Sequence, residues 1–245
     1  MRVSCVLLLL ALPVAQAGQP VTVAVASNFA DTATELAARF TDETGIEVRI
    51  VPGSTGKLYA QITNGAPFDV FLAADQVRPK RLEAKGYVAG DARFTYAIGE
   101  LALWSTTLTD CGQALRNPAV GHVAIANPAT APYGEAAREY LETQGLWNAV
   151  DERLVYGENI MQAAQFVATG NAAVGFVASS LLEQQRLPKA RCTLALPEGT
   201  YTPIRQDAVL LTHAADARSA QHFFAFLRSE AARDIVTASG YKVIY

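Results

Sequence analysis

The chain has 245 residues, a formal net charge of −3 and 51% hydrophobic residues, enough for one large domain or two smaller lobes, each with a real core. A mildly acidic chain without a basic run does not point to nucleic acid, and it draws in no anion by bulk field, so any anion site has to be local. The three histidines, His122, His213 and His222, are scattered and no CxxC spacing occurs, so no residue is assigned as a direct cation ligand and no cofactor is expected.

Residues 1–17 read as an export signal. Arg2 supplies the positive start, 6–12 is a short apolar run, and Ala15-Gln16-Ala17 is a small-x-small cleavage site. The run is short for a bilayer crossing, and no later stretch reaches the length of a membrane helix. The mature chain is expected to begin near Gly18 and to reside in the periplasm. An oxidising compartment permits a disulfide between Cys111 and Cys192, and two buried free thiols fit the sequence equally well.

From there, strand-like and helix-like segments alternate. Residues 21–26 (VTVAVA) read as a buried strand running into Ser27-Asn28. Phe29, Ala33, Leu36, Ala37 and Phe40 follow at helical spacing, ended by Gly45. Residues 46–51 (IEVRIV) are the next strand, and Gly53-Ser54-Thr55-Gly56 leads into a helix with Leu58 and Ile62. A third strand is predicted over 68–73. The middle repeats the theme, with a strand at 122–126, a Pro-punctuated loop at 127–132, and a helix with Tyr133, Ala137, Tyr140 and Leu141. Tyr156-Gly157-Glu158-Asn159 opens a helix with Ile160, Ala163, Ala164 and Val167. Strands are predicted over 173–178 and 208–212, before helices holding Phe223, Phe224, Leu227, Ile235 and Val236. Strand, turn, helix, strand is the pattern of an α/β fold with mostly parallel sheets.

Two lobes fit this order better than one. Residues 95–105 (TYAIGELALWS) are too long for an ordinary strand, which suits a chain crossing between lobes, and 202–207 offers a return crossing. The expected division places 18–98 with 207–245 in one lobe and 99–206 in the other.

Four junctions offer small or polar residues and free backbone N–H groups at a helix start: Ser27-Asn28, Ser54-Thr55-Gly56, Pro132-Tyr133-Gly134 and Asn159-Ile160. Such a start holds an anion without a cationic side chain, through unsatisfied donors and a partial positive charge. Ordinary capping explains each junction taken singly. Gly53-Ser54-Thr55-Gly56 is the strongest of them, and it is not a nucleotide-binding loop, because Val51 and Leu58 stand at its defining positions. No catalytic residue is assigned. No G-x-S-x-G elbow is present, a set of Ser27 with His122 or His213 is of a kind most chains contain, and Asp69 and Asp75 serve turns and capping. Tyr133 and Tyr156 lack the acidic companions of a ferric site.

These segments, in the order AVASNF, GSTGKLYAQITNGAPFDVFLAAD, RFTYAIGELALW, IANPATAPYG, YGENIMQA and GNAAVGFV, resemble periplasmic molybdate-binding proteins, the ModA-type component of ABC importers. The resemblance runs from about Val21 to Gly240-Tyr241. It implies a two-lobe periplasmic-binding fold of type II, with molybdate or tungstate clamped between the lobes by neutral hydrogen bonds. Position by position it implies Ser27, Asn28 and Thr55 from the first lobe, with Ser54 second to Thr55, and Tyr133 and the backbone N–H of Ile160 from the other lobe. Several family members place an anion-binding Tyr where this chain has Ala178, so that contact is absent here and Asn28 or Tyr133 is expected to compensate. The resemblance further implies a monomer that docks transiently with an inner-membrane permease. Another oxyanion, sulfate above all, and an exported hydrolase are the alternatives.

Overall fold

The computed structural model describes residues 19–214 and 216–244; the expected export signal lies outside them. Val21–Ala26 forms β1, buried along almost its whole length. A single 3-10 turn, Ser27–Phe29, carries the chain into α1 (Ala30–Thr44), which buries Ala33, Leu36, Ala37 and Phe40 on one face. β2 (Val48–Gly53) starts two residues later than the sequence pattern predicts. The Thr44 hydroxyl accepts from Ile46 N–H and the Thr41 hydroxyl donates to the Ile46 carbonyl, which holds Ile46 in a turn and out of the ladder.

α2 (Thr55–Thr63), β3 (Val70–Leu72) and α3 (Val77–Ala84) follow. Asp75 accepts from Arg78 N–H before α3, the capping role expected of it, whereas Asp69 accepts from Thr22 N–H, 47 positions away, and ties the start of β3 to β1 in place of closing a turn. The long extended run is two strands, β4 (Val88–Gly99) and β5 (Leu101–Ser105), broken at Glu100. Next come α4 (Cys111–Arg116), β6 (Val123–Ala126), α5 (Pro132–Thr143) and α6 (Trp147–Val150). Leu154–Gly157 is a strand, β7, where the sequence pattern has Tyr156-Gly157 opening a helix. Four residues carry little periodicity, and it is parallel pairing with β6 that makes them a strand. α7 (Ile160–Ala168), β8 (Val174–Ala178), α8 (Ser179–Glu183), β9 (Cys192–Ala195), β10 (Ile204–Leu211), α9 (Arg218–Phe226) and α10 (Glu230–Ala238) complete the chain.

The strands form two five-stranded sheets, ordered β2-β1-β3-β10-β4 and β7-β6-β8-β5-β9. In the first, β1, β2, β3 and β4 run one way and β10 runs against them; in the second, β5 opposes the other four. The fold is therefore α/β with two lobes of the same winding. β4 lies in one sheet and β5 in the other, so the predicted crossing is real. Cys111 and Cys192 are joined, tying the start of α4 to the edge strand β9.

Candidate functional site

Strands β1, β6 and their parallel neighbours all end toward the gap between the lobes, and in open α/β sheets the carboxyl ends of the strands are where ligands bind. The loops leaving them meet around one small cavity. It is lined by Ala26, Ser27, Asn28, Gly53, Ser54, Thr55, Ala74, Ala131, Pro132, Tyr133, Asn159 and Ile160. All four junctions singled out in the sequence converge here, two from each lobe. The cavity measures about 10 Å³, close to the roughly 10–15 Å³ that one buried water needs on a comparable scale, so the lobes stand nearly closed on it.

Three of the four helix starts carry no side-chain cap. The turn at Ser27–Phe29, α2 behind Ser54, and α5 behind Ala131 lack one, whereas Asn159 caps α7 by accepting from Gln162 N–H. In lobe 1 the hydroxyls that would ordinarily cap a helix are left for the cavity. Ser54 Oγ is buried and makes no hydrogen bond among the described residues. Thr55 Oγ1 accepts from Ala74 N–H at 3.1 Å, which leaves its own proton to donate elsewhere. Pro132, at the first position of α5, has no N–H to satisfy, and the next donor is that of Tyr133. None of the described residues that line the cavity carries a charged side chain. A larger groove, about 270 Å³, lies beside it at Asp75, Lys80, Glu135, Glu139 and Arg205; its mixed charges and open walls do not form a convergent donor set.

The side chains of Asn28 and Tyr133 turn behind the cavity, into a buried polar network that joins the lobes. Asn28 Nδ2 donates to Gln206 Oε1 at 2.9 Å and to the Tyr241 hydroxyl at 3.2 Å, with the Tyr133 hydroxyl at 3.5 Å. Tyr241 donates to the Asn28 carbonyl at 2.7 Å and accepts from Ser180 Oγ at 3.0 Å. The Tyr133 hydroxyl packs so closely on Gly99 that a Cβ there would lie 2.0 Å from it, so Gly99 is required for this approach. Burial raises the hydroxyl pKa of Tyr133 and of Tyr96 well above the usual phenol value and pushes Tyr241 up to about 12. All three therefore stay protonated donors at any physiological pH.

The Asn28 amide and the Tyr133 hydroxyl thus belong to this network between the lobes, while their backbone N–H groups stand at the uncapped helix starts. Ala178 is fully buried in the lobe 2 core and does not line the cavity. Sequence reasoning missed Gln206 and Tyr241. A polar pair, Gln206-Asp207, entering the apolar run of β10 is the signal that was available, since a buried amide and carboxylate need partners. Asp207 finds Arg93, Thr95 and Gln76.

No histidine reaches the cavity. His213 pairs with Asp69, His122 lies against the Arg153 carbonyl, and His222 packs on Phe40. Ser27 therefore has no histidine base. Tyr156 is about half exposed and apart from Tyr133, so the two tyrosines do not form a joint site.

A model of the bacterial extracellular solute-binding protein family matches residues 21–242. The chain belongs to this family. Among its relatives, the molybdate-binding protein ModA of Azotobacter vinelandii is 45% identical over 230 residues, spanning 93% of this chain and 91% of that protein. The ModA protein of Rhodobacter capsulatus is 44% identical over 235 residues, with 95% and 91% covered. The solved structure of the Azotobacter vinelandii periplasmic molybdate-binding protein matches with a TM-score of 0.85 at 38% identity, covering 92% of this chain and 100% of that one.

Proposed function

We propose that this chain binds molybdate, and tungstate equally, in the periplasm and delivers it to an inner-membrane ABC permease. The observation that carries the reading is the cavity ringed by four helix starts, with the buried Ser54 Oγ lacking any partner among the described residues and no charged side chain among those that line the cavity. The anion is held by the hydroxyls of Ser27, Ser54 and Thr55 and by backbone N–H groups at Asn28, Tyr133 and Ile160. Each hydrogen bond to a charged acceptor contributes roughly 1.5–3 kcal/mol. Several of them, less the costs of association, reach micromolar affinity or better. Donors from two lobes stabilise the closed arrangement, because only closure engages both sets.

Neutral donors also set selectivity. Hydrogen phosphate brings a proton that no carboxylate among the described lining residues accepts, and meeting it with a hydroxyl takes that hydroxyl from its donor role, so it is disfavoured. Sulfate shares the charge and shape of molybdate, and size separates the two. The names and identities of the ModA relatives support molybdate. A binding role without catalysis is supported by the names of the relatives, which are binding proteins. Within this reading, 1–17 is removed on export, the mature chain is a monomer, and the lobes divide into 18–98 with 207–245 and 99–206.

Calorimetry of the mature protein against molybdate, tungstate, sulfate and phosphate tests this directly. Molybdate and tungstate should bind tightly and alike, with sulfate far weaker and phosphate silent. Sulfate binding as tightly as molybdate would transfer the assignment to another anion, and silence from all four would remove the site.

A further inference from the structure

The helix start at Ser54–Gly56 does two things at once. Ser54 and Thr55 face the cavity, but the N–H of Gly56, one residue on, donates at 2.8 Å to the carbonyl of Thr130 in the opposite lobe. That carbonyl is held in place from its own side. In the loop 127–131, Asn127 Oδ1 accepts from Ala129 N–H, and the Asn127 carbonyl accepts from Thr130 and Ala131 N–H. The neighbouring Ala129 carbonyl accepts from Arg78 of lobe 1 at 3.1 Å, and Lys57 reaches Glu158 at 2.7 Å. The contact is also tight: a Cβ on Gly56 would lie 2.9 Å from both Cα and O of Thr130, backbone atoms that cannot swing aside.

We propose that Gly56 and the Thr130 carbonyl form the stop that sets how far the lobes close, and hence how closely the two donor sets approach the anion. Gly56 is a positioning residue for capture, absent from the contacts to the anion itself. Its place early in α2 gives no local reason for glycine, since its φ lies outside the left-handed region and alanine is the better helix former. The reason lies across the cleft. The inference rests on the anion-binding reading above.

The test is Gly56→Ala in the full mature chain. A merely local role predicts a ligand-free protein of equal or higher melting temperature and unchanged affinity. A closing stop predicts that same intact ligand-free protein with molybdate affinity down roughly ten-fold or more, through loss of one interlobe hydrogen bond and a steric barrier to closure. The change should fall on the dissociation rate, and the compaction on adding molybdate, seen by small-angle X-ray scattering, should shrink. Gly56→Val should weaken binding further. Wild-type protein that binds molybdate beside a Gly56→Ala variant with unchanged dissociation rate and unchanged compaction would overturn the stop alone. Wild-type protein that binds no oxyanion would overturn the anion reading, and this inference with it.

Discussion

The two lobes share one winding and supply the cavity by different chemistry. Lobe 1 brings side-chain hydroxyls, Ser27, Ser54 and Thr55, at helix starts that lack a side-chain cap. Lobe 2 brings main chain: Pro132 opens α5 before Tyr133, and α7 is already capped by Asn159 when it presents Ile160. Their cores differ as well. Lobe 1 is closed by aromatic packing of α9 against α1 and β4, with Phe40 at 5.2 Å from Phe223 and 5.4 Å from Phe226, and Phe94 of β4 at 5.3 Å from Phe224. Lobe 2 packs small aliphatic side chains around Trp104 in one cluster and Tyr140 on Phe176 at 5.8 Å in a larger one, and it carries the Cys111–Cys192 cross-link. Under the proposed anion site, side chains would set the contacts in lobe 1 and the backbone path would set them in lobe 2.

The sharpest way to break this contrast is in lobe 1. Ser54→Ala and Thr55→Ala should each raise the Kd for molybdate roughly ten-fold or more, and together by more than either alone, as expected for lost hydrogen bonds to a charged group. Calorimetry that leaves both variants at wild-type affinity would show that hydroxyls do not hold the anion.

In lobe 2 the informative substitution removes a donor and leaves the helix. Ile160 is the first residue of α7, where proline is tolerated, and Asn159 before it is already extended at φ −147°, ψ 176°. Ile160→Pro should weaken binding about ten-fold. Ile160→Ala should bind within about three-fold of wild type while melting lower, because a buried side chain is truncated. Equal affinity losses in the two variants would assign the contribution to packing and erase the backbone character of lobe 2.

The smallest effect on binding is expected from the cross-link. Cys111 and Cys192 are 81 residues apart in sequence and away from the cavity. Replacing both by Ala should cost about 2–4 kcal/mol of stability in chemical unfolding, through the freer unfolded chain, with affinity unchanged in calorimetry. A large affinity loss at intact fold would mean that the lobe 2 frame, and not its local loops, sets the site.

Much of this was legible from sequence because it is local. The strand at Val21–Ala26, the helical spacing of Phe29 to Phe40, and the small polar residues before each helix follow from side-chain size, branching and period within a few residues. The α/β class follows from the same kind of pattern. Strands β7 and β9 were not legible, because β7 is mostly part-exposed and β9 mostly exposed, so neither carries the buried apolar run that marks the equally short β6 and β3.

What only the tertiary structure decided depends on distances between residues far apart in the chain. It chose a disulfide over two free thiols. It turned the Asn28 amide away from the cavity toward Gln206, 178 positions on, and left Ser54, expected to stand second to Thr55, as the buried hydroxyl without a partner among the described residues. It also set Gly56 against Thr130. Sequence fixes which groups are offered at each helix start; the packing of one lobe on the other fixes which of those groups remain free to hold an anion.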